Sequence, residues 1–208
     1  MRADGKTVLT GGHPTRAAYG PMPIASTCAV FTLGGQSAFF INDQRKFGRL
    51  TLVTTAGVGN DPFLTKLGPE PGTVAFTPQA LRSGLTRHRS TPIKAALLDQ
   101  SVVAGLGNIY TDECLHLARL DPRRPTASLT DRDVHLLHAA IRRVLNEAIE
   151  RDGTRIAFDC EDQQHVDTYL DYARVFGKQG QPCLVCGTHI EHTRVAGRGT
   201  NYCPRCQQ

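Results

Sequence analysis

The sequence predicts an α+β chain in three parts: a β-rich N-terminal part over residues 1–78, a helical domain over 79–177 and a small zinc ribbon over 178–208. Three observations carry that prediction. The first 78 residues are rich in Gly, Pro and Thr and hold short β-branched and aromatic runs. From Asp131 to Arg151, apolar residues recur at spacings of three and four, the pattern of one helix face. Four of the seven cysteines crowd into the final segment as two Cys-x2-Cys pairs.

Taken in order, Thr27 to Leu33 and Ser37 to Asn42 flank Gly34-Gly35 and read as a hairpin. Arg49 to Thr55 alternates and reads as a further strand, with the polar, basic loop Asp43-Gln44-Arg45-Lys46-Phe47-Gly48 before it. Pro92 to Leu98 reads as a short helix, because Pro suits a first helical turn. Two glycines in Val102-Val103-Ala104-Gly105-Leu106-Gly107-Asn108 break it. Ile109 to Leu120 resumes as helix until Asp121-Pro122-Arg123-Arg124-Pro125. Thr130 can cap the long helix that follows, with Asp133 three residues on as a capping-box variant. Its apolar face is Val134, Leu137, Ile141, Val144 and Ala148.

Composition bounds the function. Hydrophobic residues make up 40% and charged residues 21%, a globular balance that argues against a wholly disordered chain. No run approaches the roughly 18 apolar residues of a membrane span. Met1-Arg2-Ala3-Asp4-Gly5-Lys6 leads into no apolar stretch, so no signal peptide and no membrane partner are expected, and a cytoplasmic location is. The net charge of +5 permits an anionic partner without requiring one. An odd number of cysteines without export signals argues against a disulfide framework.

The terminal cysteines suggest a metal. Cys183-x2-Cys186 and Cys203-x2-Cys206 are separated by sixteen residues, enough for a two-stranded hairpin that brings the two knuckles together. Four thiolates suit one tetrahedral Zn²⁺, and a site with no open position is structural. A pair of redox dithiols is the alternative. His189 and His192 lie between the pairs but are not needed as ligands. A segment this short has little core of its own, so the metal would supply much of its folding energy. The hairpin tip is expected at Ala196-Gly197-Arg198-Gly199, where Arg198 is either a phosphate ligand or a solvated turn residue.

The Gly105-Leu106-Gly107-Asn108 turn is either a tight helix corner or an anion site built from backbone amides and the Asn108 side chain. Cys28 and Cys114 read as core. His88, His116, His135 and His138 read as structural or solvent-facing. Arg82, Arg87, Arg89 and Lys94 form a basic cluster around the Pro92 helix, either a solvated face or a nucleic-acid contact.

The run Leu97-Leu98-Asp99-Gln100-Ser101-Val102-Val103-Ala104-Gly105-Leu106-Gly107-Asn108-Ile109-Tyr110 resembles the helix–two-turn–helix motif of the formamidopyrimidine-DNA glycosylase/endonuclease VIII family. The terminal four-cysteine segment, with Arg198 and Tyr202, resembles that family's zinc finger, and Leu67-Gly68-Pro69-Glu70-Pro71 and the 43–48 loop match further landmarks in the same order. The resemblance covers roughly residues 28–208. It implies a base-excision repair protein that flips a damaged nucleotide out of double-stranded DNA, with a monomer expected and, in a bacterium, a nucleoid-associated location. By the resemblance Asn108 and Arg198, with Gly105 and Gly107 at the turn, grip phosphates, while Arg45, Lys46 and Phe47 enter the vacated stack. Lys94, beside this motif, is expected on the DNA as well. The chain departs from the family pattern at Lys46, where a second arginine is common, and at Gln44, in place of a usual proline. The segment around Cys160, which the resemblance equates with a mobile loop over the flipped base, carries Asp159, Glu161 and Asp162.

The resemblance also implies a nucleophile with no counterpart in this sequence. The family uses an N-terminal proline followed by glutamate; here Arg2 and Ala3 follow Met1, and the first glutamate is Glu70. The expectation is therefore a damaged-DNA-binding member, truncated in its β-rich part and impaired in glycosylase and AP-lyase chemistry, with no catalytic residue assigned. One alternative is an active glycosylase/AP lyase whose start lies upstream. A zinc-stabilised protein-interaction module is the alternative of another class.

Overall fold

The computed structural model describes residues 21–35, 37–151 and 169–208. The expectations for Met1 to Lys6 and for the acidic run with Cys160 lie outside the described residues. The chain divides into two compact units at Thr54–Thr55.

In the first unit, β1 (Thr27–Thr32) and β2 (Ala38–Asn42) form the expected antiparallel hairpin, with Val30 opposite Phe40 and Thr32 opposite Ala38. Gly35 supplies the positive φ of the turn. Two expectations fail here. Arg49 to Thr54 forms no strand, because its alternation finds no neighbouring ladder among the described residues, and Thr55–Asn60 coils into 3₁₀ turns instead. Cys28 is exposed rather than core, since the two-stranded hairpin has no second layer among the described residues of its unit.

The second unit holds the main core. The sequence reading missed helix α1 (Pro78–Thr86). It is set by the Thr77 hydroxyl, which accepts the Ala80 amide at 3.1 Å, and by Pro78 in the first turn. Helices α2 (Ile93–Leu97), α3 (Asn108–Leu117) and α4 (Asp131–Glu150) follow. Helix α3 ends before Leu120. Arg119 turns left-handed at φ 59, the Leu120 amide reaches back to the Leu115 carbonyl at 3.0 Å, and the Arg119 amide to His116 at 3.1 Å, a Schellman closure. Helix α4 begins with the full capping box of Thr130 and Asp133, and its five expected core positions are all buried. They pack with Leu81, Leu85, Ile93, Leu97, Leu106 and Leu115. Gly68 is required by a close approach, as a Cβ there would lie 2.7 Å from the Val102 carbonyl carbon. That contact presses the Leu67-Gly68-Pro69 turn against the loop before α3. Among the described residues no helix is long and apolar enough to cross a membrane.

The ribbon is β3 (Glu191–Val195) paired with β4 (Arg198–Tyr202). Its turn is shorter than expected. Ala196 and Gly197 alone form it, with φ of 47° and 77°, the signature of a two-residue type I′ turn. Arg198 is thereby the first residue of β4, opposite Val195.

Candidate nucleic-acid interface

The ribbon has almost no apolar core of its own. Val175 and Ile190 pack there against Cys183 and Cys203. The four cysteines close it. Their Sγ atoms lie within 4.8 Å of one another, with Cys183–Cys206 at 3.9 Å and Cys186–Cys203 at 3.5 Å. Four sulfurs bound at about 2.3 Å around a tetrahedral ion would be spaced about 3.8 Å apart, so the donor set and spacing fit one structural Zn²⁺. Chelating the metal is expected to unfold β3 and β4 while leaving the α4 core folded, because the thiolates carry most of this small core. Amide exchange resolved along the chain checks this, with protection lost in 191–202 and retained in α4.

The ribbon is held against α3 by a stripe of polar side chains one turn apart. Asn108, Asp112 and His116 fall at i, i+4 and i+8 and so share one face. Asn108 Nδ2 donates to the Gly199 carbonyl at 3.1 Å. Asp112 Oδ2 accepts the Asn201 amide at 2.9 Å. His116 Nε2 lies 3.5 Å from Cys183 Sγ. Lys94 of α2 completes the joint, donating to Asp112 Oδ1 at 2.6 Å and to the Gly199 carbonyl at 2.7 Å. Lys94 and Asp112 are both wholly buried. Burial pushes the Lys94 ammonium down from its ordinary pKa and the Asp112 carboxyl up, and each charge opposes the other's shift.

This corrects the expectation for Lys94. It faces no solvent, and its charge is spent on the joint between helix and ribbon. Arg82 is likewise engaged, with the Leu129 carbonyl and Asp131, and Arg87 with the Ser101 carbonyl. Of that basic cluster only Arg87 and Arg89 are exposed.

Asn108 and Arg198 are brought together, since Asn108 bonds to the residue next to Arg198, and Arg198 is exposed there. The turn glycines differ. Gly105 needs its positive φ of 81°, and its amide is taken by Gln100 Oε1 at 2.7 Å. Gly107 is the extended N-cap of α3 and offers no side chain to cap it, so the first-turn amides of α3 have no side-chain cap. A cleft of about 580 Å³ opens beside the turn, lined by Glu70, Gly72, Gly105, Tyr110, Arg142 and Asn146.

In the other unit, the 43–48 loop is pinned by one carboxylate. Asp43 accepts the Gly48 amide at 2.6 Å and those of Arg45 and Lys46 at 3.0 Å. The Gly48 amide, with the others, holds the Asp43 carboxyl below its ordinary range. The loop around Gln44 is thus braced by the Asp43 carboxylate. Arg45, Lys46 and Phe47 are exposed, with the guanidinium 4.7 Å over the Phe47 ring.

Sequence reading missed Asp112 and Glu113, and left His116 open between a structural and a solvent-facing position; it is buried. Glu113 is buried and accepts the amides of Arg174, Val175 and Phe176 at 2.8–2.9 Å. The available signal was a pair of acids inside a helix flanked by apolar residues, since charges in a buried helix need partners.

Comparison with known proteins agrees with this geometry. A model described as the formamidopyrimidine-DNA glycosylase H2TH domain matches residues 67–159, and one described as a zinc finger found in FPG and IleRS matches residues 180–208. A formamidopyrimidine-DNA glycosylase of Symbiobacterium thermophilum is 48% identical over 178 residues, covering 86% of this chain and 58% of that protein. The crystal structure of the MutM (Fpg) protein from Thermus thermophilus superposes with a TM-score of 0.76 at 41% identity, over 89% of this chain and 70% of that one. A complex between the Lactococcus lactis Fpg and DNA containing an abasic site gives 0.74 at 36% identity, over 86% and 65%. The chain thus spans somewhat over half the length of the Symbiobacterium protein.

Proposed function

This chain belongs to the formamidopyrimidine-DNA glycosylase family, and from that membership we propose that it grips duplex DNA at a damaged or abasic nucleotide as a base-excision repair protein. The observation that carries the reading is the Asn108 Nδ2 to Gly199 carbonyl bond, which brings the start of α3 to the residue next to Arg198. A charged fork beside uncapped helix amides suits two adjacent phosphates. Such contacts position the protein on the duplex without reading sequence. The cleft beside Gly105 has the volume of a small-ligand site and is where we put a nucleotide turned out of the stack. Arg45 and Phe47, on an exposed and braced loop, suit a wedge into the gap. A monomer on DNA, nucleoid-associated in a bacterial cell, follows from the same reading.

For these 208 residues taken alone, we propose binding with impaired cutting. An oriented amine and a carboxylic acid at the sugar carbon are what the chemistry needs, and none of the described residues is assigned either role.

The test uses two substrates. The zinc-loaded chain should bind duplex DNA with a central abasic analogue at least about tenfold more tightly than the undamaged duplex, or roughly 1.4 kcal/mol. Fluorescence anisotropy reads this, and equal affinity for both duplexes rejects the reading. Borohydride with a damaged-base duplex should trap little covalent complex; efficient trapping would establish the active glycosylase/AP-lyase reading instead.

A further inference from the structure

Helix α3 ends on a contact that the DNA-binding reading does not use. His116 is 4% exposed. Its Nε2 lies 3.5 Å from Cys183 Sγ, and its buried Nδ1 has no hydrogen-bond partner among the described residues. The two neutral tautomers are not equivalent there. With the proton on Nδ1, an N–H would be buried without an acceptor, and the Nε2 lone pair would face the electron-rich sulfur. With the proton on Nε2, the ring donates to the sulfur and leaves only a bare acceptor behind. An unpartnered buried donor is the costlier of the two defects.

We propose that His116 is a positioning residue of the zinc centre, donating Nε2–H to the Cys183 thiolate. A zinc-bound thiolate carries surplus negative charge, and an N–H aimed at it withdraws part of that charge. Such a partner fixes the orientation of a ligand and tunes its bond to the metal. The placement has a structural logic. Asn108, Asp112 and His116 lie along one face of α3, over about 12 Å of helix. The stripe touches the ribbon at the Gly199 carbonyl, the Asn201 amide and the Cys183 sulfur in turn. The metal end of the ribbon is thereby registered to the same helix as its Arg198 end.

Two measurements on the full chain test this. In protein loaded with an NMR-active cadmium isotope in place of zinc, the His116 Nε2 should carry its proton, and that proton should show scalar coupling to the metal through the sulfur. An unprotonated Nε2 overturns the proposal, and this reading needs no variant. Separately, the zinc-loaded H116F variant should lose its metal to a chromogenic chelator about tenfold faster than the parent, within the range for loss of such a partner. H116Q, which keeps a donor on a side chain of similar reach, should fall between the two. A folded H116F variant that releases zinc at the parent rate also overturns it.

Discussion

Replacing Lys94 with alanine is expected to destabilise the zinc-loaded protein by about 3–5 kcal/mol, the range for stranding one partner of a buried ion pair. For a chain of this size, that corresponds to a Tm lower by roughly 6–20 °C. The substitution leaves the Asp112 carboxylate wholly buried with the Asn201 amide as its remaining partner, and it strips the Gly199 carbonyl of its shortest bond. An exposed pair of the same length would contribute about 0–1 kcal/mol, so the size of the loss separates the two cases. The double variant K94M/D112L buries no stranded charge and should melt above the worse of the single variants K94M and D112L. Calorimetric melts of the zinc-loaded proteins read both. A Lys94→Ala melt coincident with the parent would mean that the pair does not hold ribbon and helix together.

The contrast between Lys94 and the cysteines illustrates what a sequence can carry. The zinc site was legible because its ligands follow a local rule, two knuckles at fixed spacing, that chemistry imposes on the chain. Helix α4 was legible for the same reason, since its capping box and its apolar stripe from Val134 to Ala148 are local patterns. The fate of Lys94 is nonlocal. Its partners lie 18 and 105 positions away, and nothing near it in the sequence announces that the ribbon folds back onto α3. The strand expected from Arg49 failed on similar grounds, because alternation shows which faces a strand would have but not whether a neighbour exists to pair with it. Helix α1 was missed despite a local signal, Thr77-Pro78, because its nine residues carry only Leu81 and Leu85 as large apolar positions, too few to show a helical period. At the interface the residues alone pointed to Asn108 and Arg198 separately, and the family resemblance paired them; the Asn108 bond to Gly199 that brings them close belongs to the polar stripe of α3.

That adjacency sets the second expectation. A guanidinium that pairs with a phosphate releases counterions, and log K falls against log salt with a slope of about −0.9 per phosphate neutralised. Arg198→Ala should therefore weaken binding to the abasic duplex by roughly 1.5–3 kcal/mol and flatten the salt slope by about 0.9. Arg198→Lys keeps the charge but loses the planar fork, so it should retain the slope while binding more weakly. Asn108→Ala removes a neutral donor and should lower affinity at an unchanged slope. Because the two residues meet at Gly199, their effects should also fail to add, with a coupling of about 0.5–3 kcal/mol.

The most direct measurement is the affinity of the zinc-loaded protein and these variants for one abasic duplex, taken across a salt series. A shared phosphate grip predicts a flatter line for Arg198→Ala, a parallel lower line for Asn108→Ala and a non-additive double variant. Four superimposable lines would contradict it.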